Sequence, residues 1–395
     1  MLRVSRRAQD IVPSPIRKFL PLVLRAEQKG VKVFKLNVGD PDIGVPPIFF
    51  KSIKKYNRKS LGYAPSPGIK KHVEAWIKYY STFNIKLKPE NIIPTVGAGE
   101  AILLSMLAMT DPGDEIIVFE PLYTNYKGFA SMANVKLVPV TLRLEDNFAL
   151  PASSEIVKKI TKRTKAIILI NPDNPTGVAR SDKEINTLIK IAQRHNLFII
   201  SDETYREIVF QGKPTSLLKF PAGRQLMIMV DSVSKRFSCP GARIGVAVSY
   251  NKEIMSTILK FAMVRLSAPT LEQFALIPLL RNARPYTKKI RTEYQKRRDV
   301  VFKALQKMRG VKCRKPNGAF YIIAKLPIKD AEDFVKFLLT KFRYQGQTLM
   351  VTPAKDFYVT KGLGRNEIRI AYVINTKDLG QAMVILQKAL AEYRK

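Results

Sequence analysis

The sequence predicts an α/β protein: a large domain of three layers around a mostly parallel sheet, followed by a smaller α+β domain. Seven short β-rich runs between about residues 91 and 250 are the main signal. Several are nearly continuous in apolar residues, as strands covered on both faces must be. After about residue 280 the pattern changes to longer helical segments with two strands among them. A chain of 395 residues is too long for one small core and suits this division.

The first 45 residues contain several prolines and the stretch GDPDIGVPP. They are too few for a domain, so residues 1–45 are expected as an arm packed beside the C-terminal unit. Residues 46–280 form the large domain. Its strands are NIIPTV, DEIIVF, VKLVPV, KAIILI, NLFIIS, QLMIMV and RIGVAVSY; the helix EAILLSMLAM follows the first, and DKEINTLIKIAQRH separates the fourth from the fifth. DPGD and NPDNPTG are turns, since proline and glycine interrupt both regular elements. Residues 281–395 form the small domain, with the long charged helix PYTKKIRTEYQKRRDVVFKALQKM, strand GAFYIIAKL, helix AEDFVKFLLTKF, strand EIRIAYVI and terminal helix LGQAMVILQKALAEYRK.

Composition removes several classes of function. Cys239 and Cys313 are the two cysteines and have no CxxC spacing, so neither a disulfide scaffold nor a thiolate metal site is indicated. Two histidines are too few for a histidine zinc site, and no metal is expected. Lysine and arginine number 68 against 32 acids, a net charge of +36. The basic residues are scattered through KKH, KRTK, KKIRTEYQKRR and KALAEYRK without a zinc-finger, homeodomain or RNP pattern. That describes a basic solvated surface with no specific nucleic-acid partner. The start, MLRVSRRAQDIVPSPIRKFL, lacks the apolar centre of a signal peptide, and stretches such as AILLSMLAM are too short to span a membrane. A cytoplasmic protein is expected.

Ligands on sheets of this kind bind beyond the carboxyl ends of the strands, and polar residues gather there. NIIPTV ends in Gly97, Ala98 and Gly99 before a helix, which is either an ordinary turn or a phosphate cradle of backbone N–H groups. KAIILI runs into NPDNPTG, whose prolines restrict Asn171 and Asn174. NLFIIS leads to Asp202 and Tyr205; the acid suits a helix cap or a protonated ring nitrogen. QLMIMVDSVS leads to Lys235, with Ser232 before it and Arg243 eight residues later. A shielded amine condenses with a carbonyl, and serine with a forked guanidinium suits a phosphate. A phosphate, a ring nitrogen and an aldehyde in one ligand describe pyridoxal phosphate.

In their order, NVGDPD, GYAPSPG, NPDNPTG, SDETYREI, SVSKRFSCPGARIG and EIRIAYV resemble the fold-type I, pyridoxal-phosphate-dependent aminotransferases of class I/II, closest to the aspartate aminotransferase branch. The resemblance covers nearly the whole chain. It implies that Lys235 bonds covalently to the cofactor aldehyde and shuttles the substrate proton. Asp202 then pairs with the ring nitrogen, and Asn174 and Tyr205 meet the phenolic oxygen. Tyr123 lies over the ring where many relatives carry tryptophan, while the Gly97–Gly99 turn, Ser232 and Arg243 hold the phosphate. Arg369 clamps the substrate α-carboxylate with Gly39 against it, and Tyr63 reaches the partner's cofactor in a homodimer. Arg265 is a candidate for a distal carboxylate, in its own subunit or across the dimer interface. The implied reaction is ping-pong transfer of an amino group from an L-amino acid, aspartate in the leading reading, to 2-oxoglutarate. Preference for alanine or aromatic donors, or carbon–sulfur β-lyase chemistry, uses the same cofactor residues. One departure is Ala354 in VTPAKDFY, where many relatives have glycine, which implies a changed turn.

Overall fold

The computed structural model describes residues 14–393 together with residues 4, 5, 8, 9 and 11. The other positions of the N-terminal arm lie outside the described residues. A short strand, β1 (Lys32–Lys35), precedes the strands of the main sheet: β2 (Ile92–Thr95), β3 (Glu115–Glu120), β4 (Lys136–Thr141), β5 (Thr164–Ile170), β6 (Phe198–Asp202), β7 (Met227–Ser232) and β8 (Gly245–Ser249). Their spatial order is β2-β8-β7-β6-β5-β3-β4. The interior strands read as apolar runs because both faces are covered: every residue of β3, β7 and β8 is buried, whereas edge strand β4 is largely half-buried. Alternate residues serve opposite cores. Ile117, Ile167, Ile199 and Met229 face one cluster, and Ile116, Ile168, Ile200 and Ile228 face the other.

The sheet is mostly parallel, with one exception that matters for the site. β8 runs antiparallel to both β7 and β2. A parallel return needs a crossover of a dozen or more residues, usually through a full helix. Between β7 and β8 the chain forms only the four-residue helix Val233–Arg236 and a short 3-10 turn, so it turns back. The start of β8 therefore lies at the same edge as the ends of its neighbours. A full-length layer helix, Asp182–His195, shows the contrasting case. Ser181 and Glu184 cap it reciprocally, Asn196 ends it in the left-handed conformation, and Ile185, Leu188, Ile189 and Ala192 are buried on one face.

The C-terminal part holds β9 (Lys312–Cys313), β10 (Tyr321–Lys325), β11 (Gln347–Met350), β12 (Thr352–Pro353) and β13 (Glu367–Ala371). A four-stranded sheet runs β12-β13-β10-β9, and β11 pairs in parallel with β1 from the arm. Phe19, Val23, Phe34 and Leu36 share one core with Phe320, Ile368 and Leu386, so this stretch of the arm is packed into the C-terminal unit, whereas Ile16 joins the core of the large unit. No helix among the described residues is long and apolar enough to cross a membrane.

Candidate active site

A cavity of about 600 Å³ opens at the carboxyl edge of the main sheet, where β13 and the arm face it. Lys235 enters from the turn after β7. Its ammonium donates to the Gly39 carbonyl at 2.7 Å. Burial pulls its pKa down to about 8; Asp40 opposes that shift, while Arg369 and Arg243 add to it. Gly39 has no room for a side chain, since a Cβ would stand 1.8 Å from the Tyr321 hydroxyl. That hydroxyl lies 2.8 Å from the hydroxyl of Tyr205.

Asp202 ends β6, level with Ile170 of β5. One carboxylate oxygen accepts from the backbone N–H and hydroxyl of Thr204, at 3.1 and 2.6 Å. The other accepts from the Tyr126 hydroxyl at 3.0 Å. Burial raises its pKa, and these bonds work against the rise. No helix starts here, so the acid closes a local turn with one oxygen and caps nothing. The parallel register also brings the NPDNPTG turn alongside, with the Asn171 N–H donating to the Asp202 carbonyl at 2.8 Å.

The antiparallel β8 assembles the other end of the cavity. Gly245 is level with Thr95 on one side and Ser232 on the other, so Arg243, two residues before it, sits between the Gly97 turn and Ser232. Gly97 has φ +72°, a conformation that favours glycine, and a Cβ on it would lie 2.6 Å from an Arg243 guanidinium nitrogen and displace that side chain. Arg243 donates to the carbonyls of Pro240 and Val96 at 2.9 and 3.4 Å. The Ser232 and Ser234 hydroxyls are 2.7 Å apart. With Ala98 and Gly99 at the start of helix Gly97–Met109, these groups form a donor-rich, cationic end.

Arg369 lies across the cavity from β13 and is 1% exposed. It donates to the Asn174 amide oxygen at 2.9 Å and the Asn37 carbonyl at 2.5 Å. Its guanidinium lies over the Tyr321 and Phe357 rings, 4.5 and 4.9 Å from their centroids. Its Nε has no hydrogen-bond partner and no carboxylate is paired with it among the described residues. Tyr123 lines the same cavity, half-buried, edge-on to Tyr126.

Two expected site residues lie elsewhere. Arg265 binds both carboxylate oxygens of Glu100 at 3.1 Å and the Pro94 carbonyl at 2.6 Å, and it does not line the cavity of its own chain. Tyr63 is 81% exposed and also lies outside that cavity. Ala354 has φ −91°, a right-handed conformation that alanine adopts freely. Cys239 is buried, and burial pushes its thiol up to about 12, so it is a packed and unreactive group.

The sequence matches the family described as aminotransferase class I and II over residues 31–386. The chain belongs to that family. It is 32% identical over 399 residues to the aspartate aminotransferase of Pyrococcus horikoshii, covering 98% of this chain and 97% of that one. Its fold matches the Thermus thermophilus aspartate aminotransferase solved with maleate at a TM-score of 0.90 and 27% identity, over 98% of this chain and all of that one. It also matches an alanine aminotransferase from Pyrococcus furiosus at a TM-score of 0.89 and 29% identity, over 99% and 100% of the two chains.

Aminotransferases of this family use pyridoxal phosphate, and the residues present fit that group. The glycine turn beside Arg243 leaves a cradle that a Cβ would fill, Asp202 offers a buried acceptor, and Lys235 is a shielded amine. Sequence reading passed over Ser234, Tyr126 and Tyr321. Ser234 was accessible from the SVSK spacing. The two tyrosines reach the site from a helix and from the C-terminal sheet, and no local pattern marks them.

Proposed function

We propose that this aminotransferase transfers an amino group from a dicarboxylic L-amino acid, aspartate first among them, to 2-oxoglutarate by a ping-pong mechanism in the cytoplasm. The observation that carries the reading is the pairing, across one cavity, of a shielded lysine with a buried arginine that has no counter-ion among the described residues. Pyridoxal phosphate supplies an electron sink for the charge left at the substrate Cα. Gly97, Ala98, Gly99, Ser232, Ser234 and Arg243 would hold its phosphate, Asp202 would keep a proton on its ring nitrogen, and Asn174 and Tyr205 would meet its phenolic oxygen. Tyr123 would cover the ring. Lys235 would be its covalent anchor and would carry the proton from the substrate Cα to the carbon of the cofactor's former aldehyde.

Arg369 holds the substrate α-carboxylate, since a desolvated guanidinium with spare donors gains most from a forked anion. Fixing that group orients the Cα–H bond for cleavage and disfavours loss of the carboxylate. The relatives named aspartate aminotransferase support the choice of donor. The test is a comparison of kcat/KM for aspartate, alanine, phenylalanine and cystathionine with 2-oxoglutarate as acceptor. Aspartate is expected to lead by at least about tenfold, with parallel initial-rate lines. A tenfold lead by another donor overturns the assignment.

The working unit is read as a homodimer. Tyr63 sits beside a segment tied to Thr270, whose hydroxyl bonds Gly62 and Ala64. Nearby Val264 is 84% exposed and Leu266 is 49% exposed, an apolar surface suited to a partner copy that would receive Tyr63. Mass photometry at nanomolar concentration should show the dimer; a fully active monomer argues against it.

A further inference from the structure

We infer that Tyr321, on the second sheet, is a positioning residue whose hydroxyl donates to Tyr205 and so commits the Tyr205 proton to the phenolic oxygen of pyridoxal phosphate. The inference rests on the reading of Tyr205 above and adds the group that orients it.

Sheet register and the arm place Tyr321. In the antiparallel pairing of β10 with β13, Arg369 stands opposite Ile323. Tyr321, two residues from Ile323, is therefore on the same face of the sheet as Arg369. The Arg369 guanidinium accordingly lies over its ring, 4.5 Å from the centroid. Gly39, lacking a side chain, lets the backbone of the arm close over the hydroxyl. Tyr321 is 2% exposed and lines the cavity. It meets Tyr205 edge-on, with the hydroxyls 2.8 Å apart.

Each hydroxyl carries one proton and the bond between them uses one, so the pair has a single proton left to give. Burial raises both phenols above the usual tyrosine range, and both stay protonated at neutral pH. Arg369 from β13, Asp40 from the arm and Tyr123 are the other groups that act on the pair, while Lys235, Asp202 and Arg243 share the cavity. Arg369 is the strongest force against the rise at Tyr321, and a more acidic phenol is the better donor. Among the described residues, the hydrogen-bond partner of each hydroxyl is the other. An unprotonated phenolic oxygen beside Tyr205 accepts and does not donate. Tyr205 therefore donates to it and Tyr321 donates to Tyr205, a chain in which each bond polarises the next.

The test is the pH midpoint of the visible absorbance change of the lysine-bound cofactor, read in wild type, Tyr205→Phe, Tyr321→Phe and the double variant. A donor to the phenolic oxygen favours loss of the proton from the adjacent lysine nitrogen, because that oxygen is then no longer neutralised by the proton. Tyr205→Phe should raise the midpoint by about one pH unit or more, as expected for a hydrogen bond to a charged group. Tyr321→Phe keeps the ring beneath Arg369 and should raise it by about 0.2–0.5 pH unit, the share of one polarising neighbour. In the Tyr205→Phe background the same change should move it by less than about 0.1 pH unit, because the chain is already cut. The inference fails if Tyr321→Phe leaves the midpoint unmoved or lowers it. It also fails if the shift is as large in the Tyr205→Phe background, which altered packing alone would produce. A midpoint unmoved by Tyr205→Phe removes the reading of Tyr205 and this inference with it. Preference for another amino donor in the kinetic comparison overturns the substrate assignment alone.

Discussion

Lys235 and Arg236 are neighbours on one short helix and face opposite surroundings. Lys235 points into the cavity, where its ammonium donates to a carbonyl and has no paired carboxylate among the described residues. Arg236 points into the large core, where it and Arg206 share Asp231, with Arg206 at 3.0 Å. Tyr80 also donates to Asp231 at 2.9 Å, and Tyr79 accepts from Arg206 at 3.0 Å. Burial opposes the charge on both arginines, yet Asp231 and the tyrosines around them hold both pKa values above the usual arginine range. Arg369, equally buried, has neutral acceptors among the described residues, and burial lowers its pKa. A buried cation with its counter-ion is structural; one without it is a place for a substrate or cofactor anion.

The comparison breaks first, and most visibly, at Lys235. Lys235→Ala should lower transamination by several orders of magnitude while the protein stays folded. Borohydride reduction of the wild type followed by peptide mass analysis should find the cofactor on Lys235, and an adduct on another lysine would refute its role. The reverse result is expected on the structural side. Asp231→Asn leaves buried Arg236 without its carboxylate and Arg206 with Glu203 alone, and should destabilise by about 3–5 kcal/mol in denaturant unfolding. A loss below about 1 kcal/mol would mean that the cluster is not what holds the turn.

Arg369→Gln should cost less than either, about 10²-fold in kcat/KM, with a stability change far smaller than that of Asp231→Asn. Equal stability losses would erase the distinction between paired and unpaired arginines. The smallest effect is on the cofactor-free protein. Because the folded-state pKa of Lys235 is depressed to about 8 from 10.5, its buried ammonium is a full burden at pH 7 and is relieved as pH rises between those values. Lys235→Met should therefore be more stable than wild type by about 1–3 kcal/mol at pH 7. The gain should shrink from pH 8 to 10.5, as read by unfolding at several pH values, and a gain that does not change over that window would contradict the assigned environment.

Much of this was legible before any coordinates. Strands β2 to β8 stand out because both-face burial demands continuous apolar runs, and a polar residue that follows such a run is delivered to the sheet edge by the strand itself. Gly97, Asn174, Asp202, Ser232 and Lys235 are of this kind. Arg243 precedes its strand instead, and it reaches the same edge because β8 is reversed. The apolar pattern of β8 is the same in either direction, so its reversal follows from the shortness of the β7–β8 connection.

Sequence alone determined the layers, the order of the strand-end residues and the spacing of Lys235 from Ser232 and Arg243, because these depend on neighbours along the chain. Tertiary structure decided which charges are spent. Arg265 and Arg369 look alike as residues, and each follows a plausible motif. Only the fold shows that Glu100 neutralises the first and that no carboxylate among the described residues neutralises the second. Likewise Tyr321 lines the cavity from the second sheet, while Asn37 from the arm and Tyr126 from a helix bond to Arg369 and Asp202 there. Coulomb energy and desolvation depend on distance in space and on burial, and neither quantity is written in the local sequence.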